Sequence, residues 1–158
     1  LGPHATLYFE DRLTMKYQVQ EMLRVERIFE REEIEEELAA YNPLIPDGKN
    51  WKATFMIEYG DEEERRKALA NMGGIEETLW VQVGNGEKSF AITNEDMDRT
   101  RDTKAAAVHF TRFELSDTDL EAINQGSEIR FGLDHPSLAT TVTLDFKERL
   151  SLVADLDL

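Results

Sequence analysis

The sequence predicts an α+β fold: an N-terminal helical arm, then a mostly antiparallel sheet with helices packed on it. Three observations predict it. Residues 51–59 alternate strictly, with Trp51, Ala53, Phe55, Ile57 and Tyr59 on one side and Lys52, Thr54, Met56 and Glu58 on the other. The order strand, helix, strand, strand, helix is read twice, over residues 51–101 and 106–155. A helical stretch precedes both and is ended by Asn42-Pro43, because the residue before proline avoids helical dihedrals.

The elements follow in order. Residues 4–9 alternate as a short leading strand, and a long helical stretch runs from about Arg12 to Tyr41. Met15, Val19, Met22, Ile28 and Phe29 recur there at helical spacing. Glu32 to Glu37, broken by Ile34, reads as a second helical segment with a narrow apolar stripe ending at Leu38. Asp47-Gly48 supplies the turn into the body.

In the first half, the 51–59 strand leads to a helix capped by Asp61, with Glu64 as the reciprocal capping-box residue and Gly73-Gly74 at its end. Strands 78–83 and 88–92 flank the hairpin residues Gly84-Asn85-Gly86-Glu87, and Asn94 caps a polar helix to about Arg101. In the second half, strand 106–115 is followed by a helix from Ser116 to Gly126. Strands 128–134 and 138–144 turn at His135-Pro136-Ser137, and Asp145 caps a last helix with Phe146, Leu150 and Val153 on its apolar face. Leu79-Trp80-Val81 aligns with Ile129-Arg130-Phe131. The organisation expected is one domain over 1–158: an arm over 1–45 with its leading strand, and two βαββα halves about a pseudo-twofold.

Composition sets the exclusions. The 158 residues hold 33 Asp+Glu against 18 Lys+Arg, a formal charge of −15. Nucleic acid and anionic membrane attract clustered Lys and Arg, so neither is an expected partner. No apolar run approaches the ~20 residues of a membrane span. Cysteine is absent, which removes thiol catalysis, thiolate zinc, iron–sulfur ligation and disulfides together. The same absence of cysteine suits the cytoplasm, which is the expected location, and no secretory signal pattern is read.

The motifs of common chemistries are missing. There is no phosphate-binding glycine loop, no nucleophile elbow, no His-Glu-x-x-His and no calcium loop. The candidate ligand or metal residues are His4, Glu10, Arg12, His109, Glu114, Asp134 and His135, because neutral imidazole with carboxylate is a metal-ligating set and Arg binds carboxylate or phosphate. The bland alternative is that His109 bonds locally in its strand and His135 shapes its turn. Glu58 and Glu114 stand at matching strand ends, so a pseudo-twofold could bring them together as an acid–base pair. Phe9-Glu10-Asp11-Arg12 and Tyr17-Gln18 are unusually polar for a segment entering a helix that must bury a face.

Three stretches carry a resemblance. Gly2-Pro3-His4-Ala5-Thr6-Leu7-Tyr8-Phe9-Glu10, Tyr17-Gln18-Val19-Gln20-Glu21-Met22-Leu23-Arg24 and Tyr41-Asn42-Pro43-Leu44-Ile45-Pro46 resemble the uncharacterised bacterial domain-of-unknown-function family 3501, as does Gly132-Leu133-Asp134-His135-Pro136. The resemblance covers nearly the whole chain, and its members extend further upstream. It implies a bacterial, cytoplasmic protein with a loose association with redox or peroxide metabolism, through rubrerythrin-like and iron–sulfur oxidoreductase neighbours. It supplies no activity and no cofactor.

The function expected from all this is a non-catalytic accessory or interaction protein, whose arm clasps a second copy or a redox protein. The alternative is a metal- or small-molecule-binding protein using His and Asp/Glu, or an enzyme of unrecognised type.

Overall fold

A computed structural model describes residues 1–93, 95 and 106–158. Strand β1 (Ala5–Glu10) leads into helix α1 (Arg12–Glu26) and helix α2 (Arg31–Tyr41), followed by a 3-10 turn at Asn42–Leu44. The body comprises β2 (Asn50–Ile57), α3 (Glu62–Ala70), β3 (Leu79–Val83), β4 (Ser89–Phe90), β5 (Ile92–Thr93), β6 (Val108–Glu114), α4 (Asp117–Asn124), β7 (Ile129–His135), β8 (Leu138–Thr143) and α5 (Phe146–Val153). The strands form two four-stranded sheets, ordered β1-β2-β6-β5 and β4-β3-β7-β8, with antiparallel neighbours throughout.

The two sheets share one core. Alternation buries Trp51, Ala53, Phe55 and Ile57 of β2 on the inner face, and Phe113 joins them from β6. From the second sheet come Leu79, Val81, Phe131 and Leu133. Phe131 is the meeting point, its ring centroid 5.1 Å from Phe9, 5.0 Å from Phe113 and 5.8 Å from Trp51. The Trp51 indole N–H donates to Leu152 O at 2.8 Å, tying α5 to the same core. On the other face of the second sheet Trp80 lies across Gly132, where an added Cβ would come within 2.2 Å of the indole.

Local chemistry explains the helix starts. Asp11, Ser116 and Asp145 each complete a capping box, with Thr14, Asp119 and Glu148 returning the bond. Asp61 accepts from the Glu64 N–H at 2.9 Å, without the reciprocal Glu64 bond that was expected.

Several expectations are corrected. The helical stretch breaks at Arg27, which takes left-handed dihedrals (φ 55°), so Ile28 and Phe29 sit in a turn and leave the apolar stripe. Of that stripe Met15 and Val19 are buried, and α2 buries nothing. The strand expected at 88–92 splits at Ala91: β4 pairs with β3, and β5 pairs with β6 of the other sheet. In α5 the buried residue is Leu152, whereas Phe146 and Leu150 face solvent at 75% and 52% exposure. The Asn94 cap and its helix lie outside the described residues.

Candidate functional site

The outer face of the first sheet is built by the residues that alternate with its core. Register places Glu10, Lys52, Arg112 and Ile92 in one cross-strand row, and Tyr8, Thr54 and Phe110 in the next. The arm lies over these rows, because β1 runs directly into α1 through the Asp11 cap. Between them is a cleft of about 700 Å³, walled by Leu13, Met15, Tyr17, Tyr41, Leu44 and Phe110 with Glu10 at its edge. Its mouth keeps large apolar groups in water: Leu13 is 72% and Tyr17 63% exposed.

Polar groups around the cleft answer one another. Glu10 Oε1 accepts from Thr54 Oγ1 at 2.9 Å, and Oε2 accepts from Thr14 Oγ1 at 2.8 Å. Thr14 Oγ1 in turn accepts from the Asp11 N–H at 2.9 Å, so one hydroxyl links the helix cap to the cleft. A smaller recess of about 260 Å³ continues past Leu44 over Lys52 and Arg112. Lys52 Nζ donates to Pro43 O at 2.5 Å, fastening the end of the arm to the sheet. Arg112 holds Glu95 with both Nε (2.9 Å) and Nη2 (2.6 Å), and Nη1 reaches Glu114. The Arg112 hydrogen bond holds the Glu95 carboxyl below its ordinary range, and the same bond raises the Arg112 pKa further.

The residues expected to bind a ligand are dispersed. Glu10 borders the cleft and Glu114 ends the neighbouring row, while Arg12 projects from the first turn of α1 and makes no ion pair among the described residues. His4 stacks on Tyr59 at 3.9 Å, with Nδ1 3.1 Å from Glu58 O. His109 faces the core; its Nε2 donates to Ala106 O at 2.9 Å, and its Nδ1 is 3.9 Å from Glu76. His135 accepts from the Ser137 N–H at 3.1 Å, and Asp134 pairs with Lys88 at 2.7 Å. The Lys88 hydrogen bond, with a smaller contribution from Trp80, lowers the Asp134 pKa. Among the described residues no three His, Asp or Glu side chains are grouped to hold a metal ion.

Glu58 and Glu114 do not approach each other. The β2–β6 ladder is antiparallel and sets Glu114 opposite Asn50, whereas Glu58 follows Ile57 at the other end. Eight residues of strand separate them, about 26 Å. At the foot of α1 a different acid pair forms: burial, and then the charge of Asp11, push the Asp155 carboxyl up.

Sequence reasoning singled out Glu10, Tyr17 and Gln18 in an oddly polar stretch, and all three line the cleft. It missed Phe110, Thr54, Tyr41 and Leu44. The available signal was the outer face of β2 and β6, where Thr54, Met56, Val108 and Phe110 alternate with core residues yet are not charged.

Fold and site define a two-sheet α+β protein with an arm-covered apolar cleft. The family model described as Protein of unknown function (DUF3501) matches residues 1–156, and the chain belongs to that family. A crystal structure of a protein of unknown function from Burkholderia pseudomallei K96243 is similar at 43% identity and a TM-score of 0.92. The match covers 99% of this chain and 82% of that one. No curated protein matches. No helix among the described residues is long and apolar enough to cross a membrane.

Proposed function

We propose that the chain is a binding or accessory protein without catalysis of its own, and that the cleft between arm and sheet is its binding surface. One observation carries this reading. The cleft walls are exposed apolar side chains, while Glu10, Thr14 and Thr54 beside them are engaged with one another and Lys52 is held by Pro43 O. Exposed apolar surface beside a preformed hollow marks binding.

The association implied by the family resemblance makes a rubrerythrin-like or iron–sulfur redox protein the first partner to try. A small apolar ligand is the second reading, favoured by a cleft volume within the range of ligand sites. We also infer a duplicated βαββα body. The supporting observation is that β2 pairs with β6 and β3 with β7, setting the aligned Val81 and Phe131 opposite each other.

The test is titration with the apolar dye anilinonaphthalene sulfonate, comparing the chain with Tyr17→Asp and Phe110→Asp. Saturable binding weakened at least tenfold by either change is expected. Equal dye binding by folded variants would remove the cleft from the proposal. Titration of a purified rubrerythrin against the same three proteins then separates the partner reading from the small-ligand reading.

A further inference from the structure

β8 is an edge of the second sheet, and its backbone is open. The two-residue turn at Pro136-Ser137 makes His135 and Leu138 a narrow, hydrogen-bonded pair, and the Leu144 N–H on Ile129 O (2.9 Å) fixes the same phase at the far end. Narrow and wide pairs alternate, so Ala139, Thr141 and Thr143 turn their N–H and C=O groups away from β7. All three residues are exposed, and no described residue bonds to those groups.

Sheet edges are ordinarily blunted by charge, proline, bulges or a covering element. Leu138-Ala139-Thr140-Thr141-Val142-Thr143 has no charge and no proline. The other edges differ: β4 and β5 are two residues long, and in β1 the corresponding residues Ala5, Leu7 and Phe9 are buried or half-buried. Beside the β8 edge, Val142 and then Phe146 and Leu150 of α5 leave apolar side chains in water.

We propose that β8 pairs antiparallel with β8 of a second copy across a twofold axis at Thr141, joining the two sheets into one of eight strands. The occupant follows from the strand itself. Centred on Thr141, the pairing sets Ala139 opposite the partner's Thr143 and matches every outward-facing residue with another of the same kind. Three narrow pairs form, each exchanging two hydrogen bonds. Charge selects the place as well. A chain of −15 repels its copy over most of its surface, including the acidic α2, and an uncharged strand is where two copies meet at least cost. The proposal is independent of the cleft, which lies on the other sheet.

Because the chain has no cysteine, Thr141→Cys places a single thiol on the axis. Narrow pairs bring Cα atoms to about 5.5 Å, within disulfide reach. Sedimentation of the unaltered chain at ~100 μM should give twice 18.2 kDa. Mild oxidation should convert T141C to a covalent dimer at least tenfold faster than Ser89→Cys on β4. Thr141→Lys, which sets two like charges on the axis, should raise the dimer dissociation constant at least tenfold with the circular dichroism unchanged. A chain that stays at 18.2 kDa, or a T141C that links no faster than S89C, overturns the proposal.

Discussion

The body and the arm of this molecule are held by different physics. Around Phe131 three aromatic rings from the facing sheet close within 6 Å, and the residues of β2, β3 and β7 that face inward are almost wholly buried. The arm anchors itself through Met15 and Val19, one helix cap and the Lys52 bond to Pro43, while α2 buries no residue. Burial of apolar area sets stability, so the body is expected to unfold as a unit and the arm to open alone at lower cost. A cleft roofed by the weaker region can admit a partner without disturbing the stronger one.

The largest break in this contrast is Phe131→Ala. It empties the meeting point of the two sheets and should cost about 3–5 kcal/mol, read as a lower urea midpoint for the whole chain. Gly132→Ala comes next. Its Cβ would meet the Trp80 ring at 2.2 Å and the Thr140 carbonyl at 2.6 Å, so overpacking of about 1–3 kcal/mol is expected, with a shift in tryptophan emission.

Met15→Ala sharpens the comparison from the other side. It should cost about 2 kcal/mol, appearing as faster amide exchange in α1 and α2 while β2 and β6 stay protected. Uniformly faster exchange would mean that arm and body are one cooperative unit.

The two smallest effects differ in sign. Asp155 has a raised folded-state pKa, so its ionised form weakens the fold at neutral pH. Asp155→Asn should stabilise at pH 7, and the gain should vanish as pH falls below the ordinary aspartate value of about 3.8, where both states hold the proton. Arg31→Ala removes the exposed pair with Glu35 (2.7 Å) and should change the melting point by less than a degree or two, since such helix pairs contribute about 0.2–0.5 kcal/mol.

Much of the fold was legible because its signals are local. The alternation of residues 51–57, the caps at Ser116 and Asp145 and the glycine turn after Val83 each act within a few residues. What failed depended on distant partners. Phe146 and Leu150 look like the core face of α5 by composition, yet the Trp51 bond to Leu152 O orients the helix the other way. Residues 88–92 read as one strand, because nothing local says that Ser89-Phe90 and Ile92-Thr93 will find different sheets. Of the candidate site, Glu10 and the polar entry to α1 were visible, but Phe110 and Tyr41 are far apart in sequence and become neighbours through packing alone.

The sequence by itself determined the α+β class, the alternating inner and outer faces and most helix starts. Period, capping and turn chemistry are short-range, and they act before any distant contact forms. Tertiary structure decided the division into two sheets, the fate of each histidine, the cleft beneath the arm and the open edge at β8. Each depends on which strand pairs with which, and that choice is made by burial of the whole core.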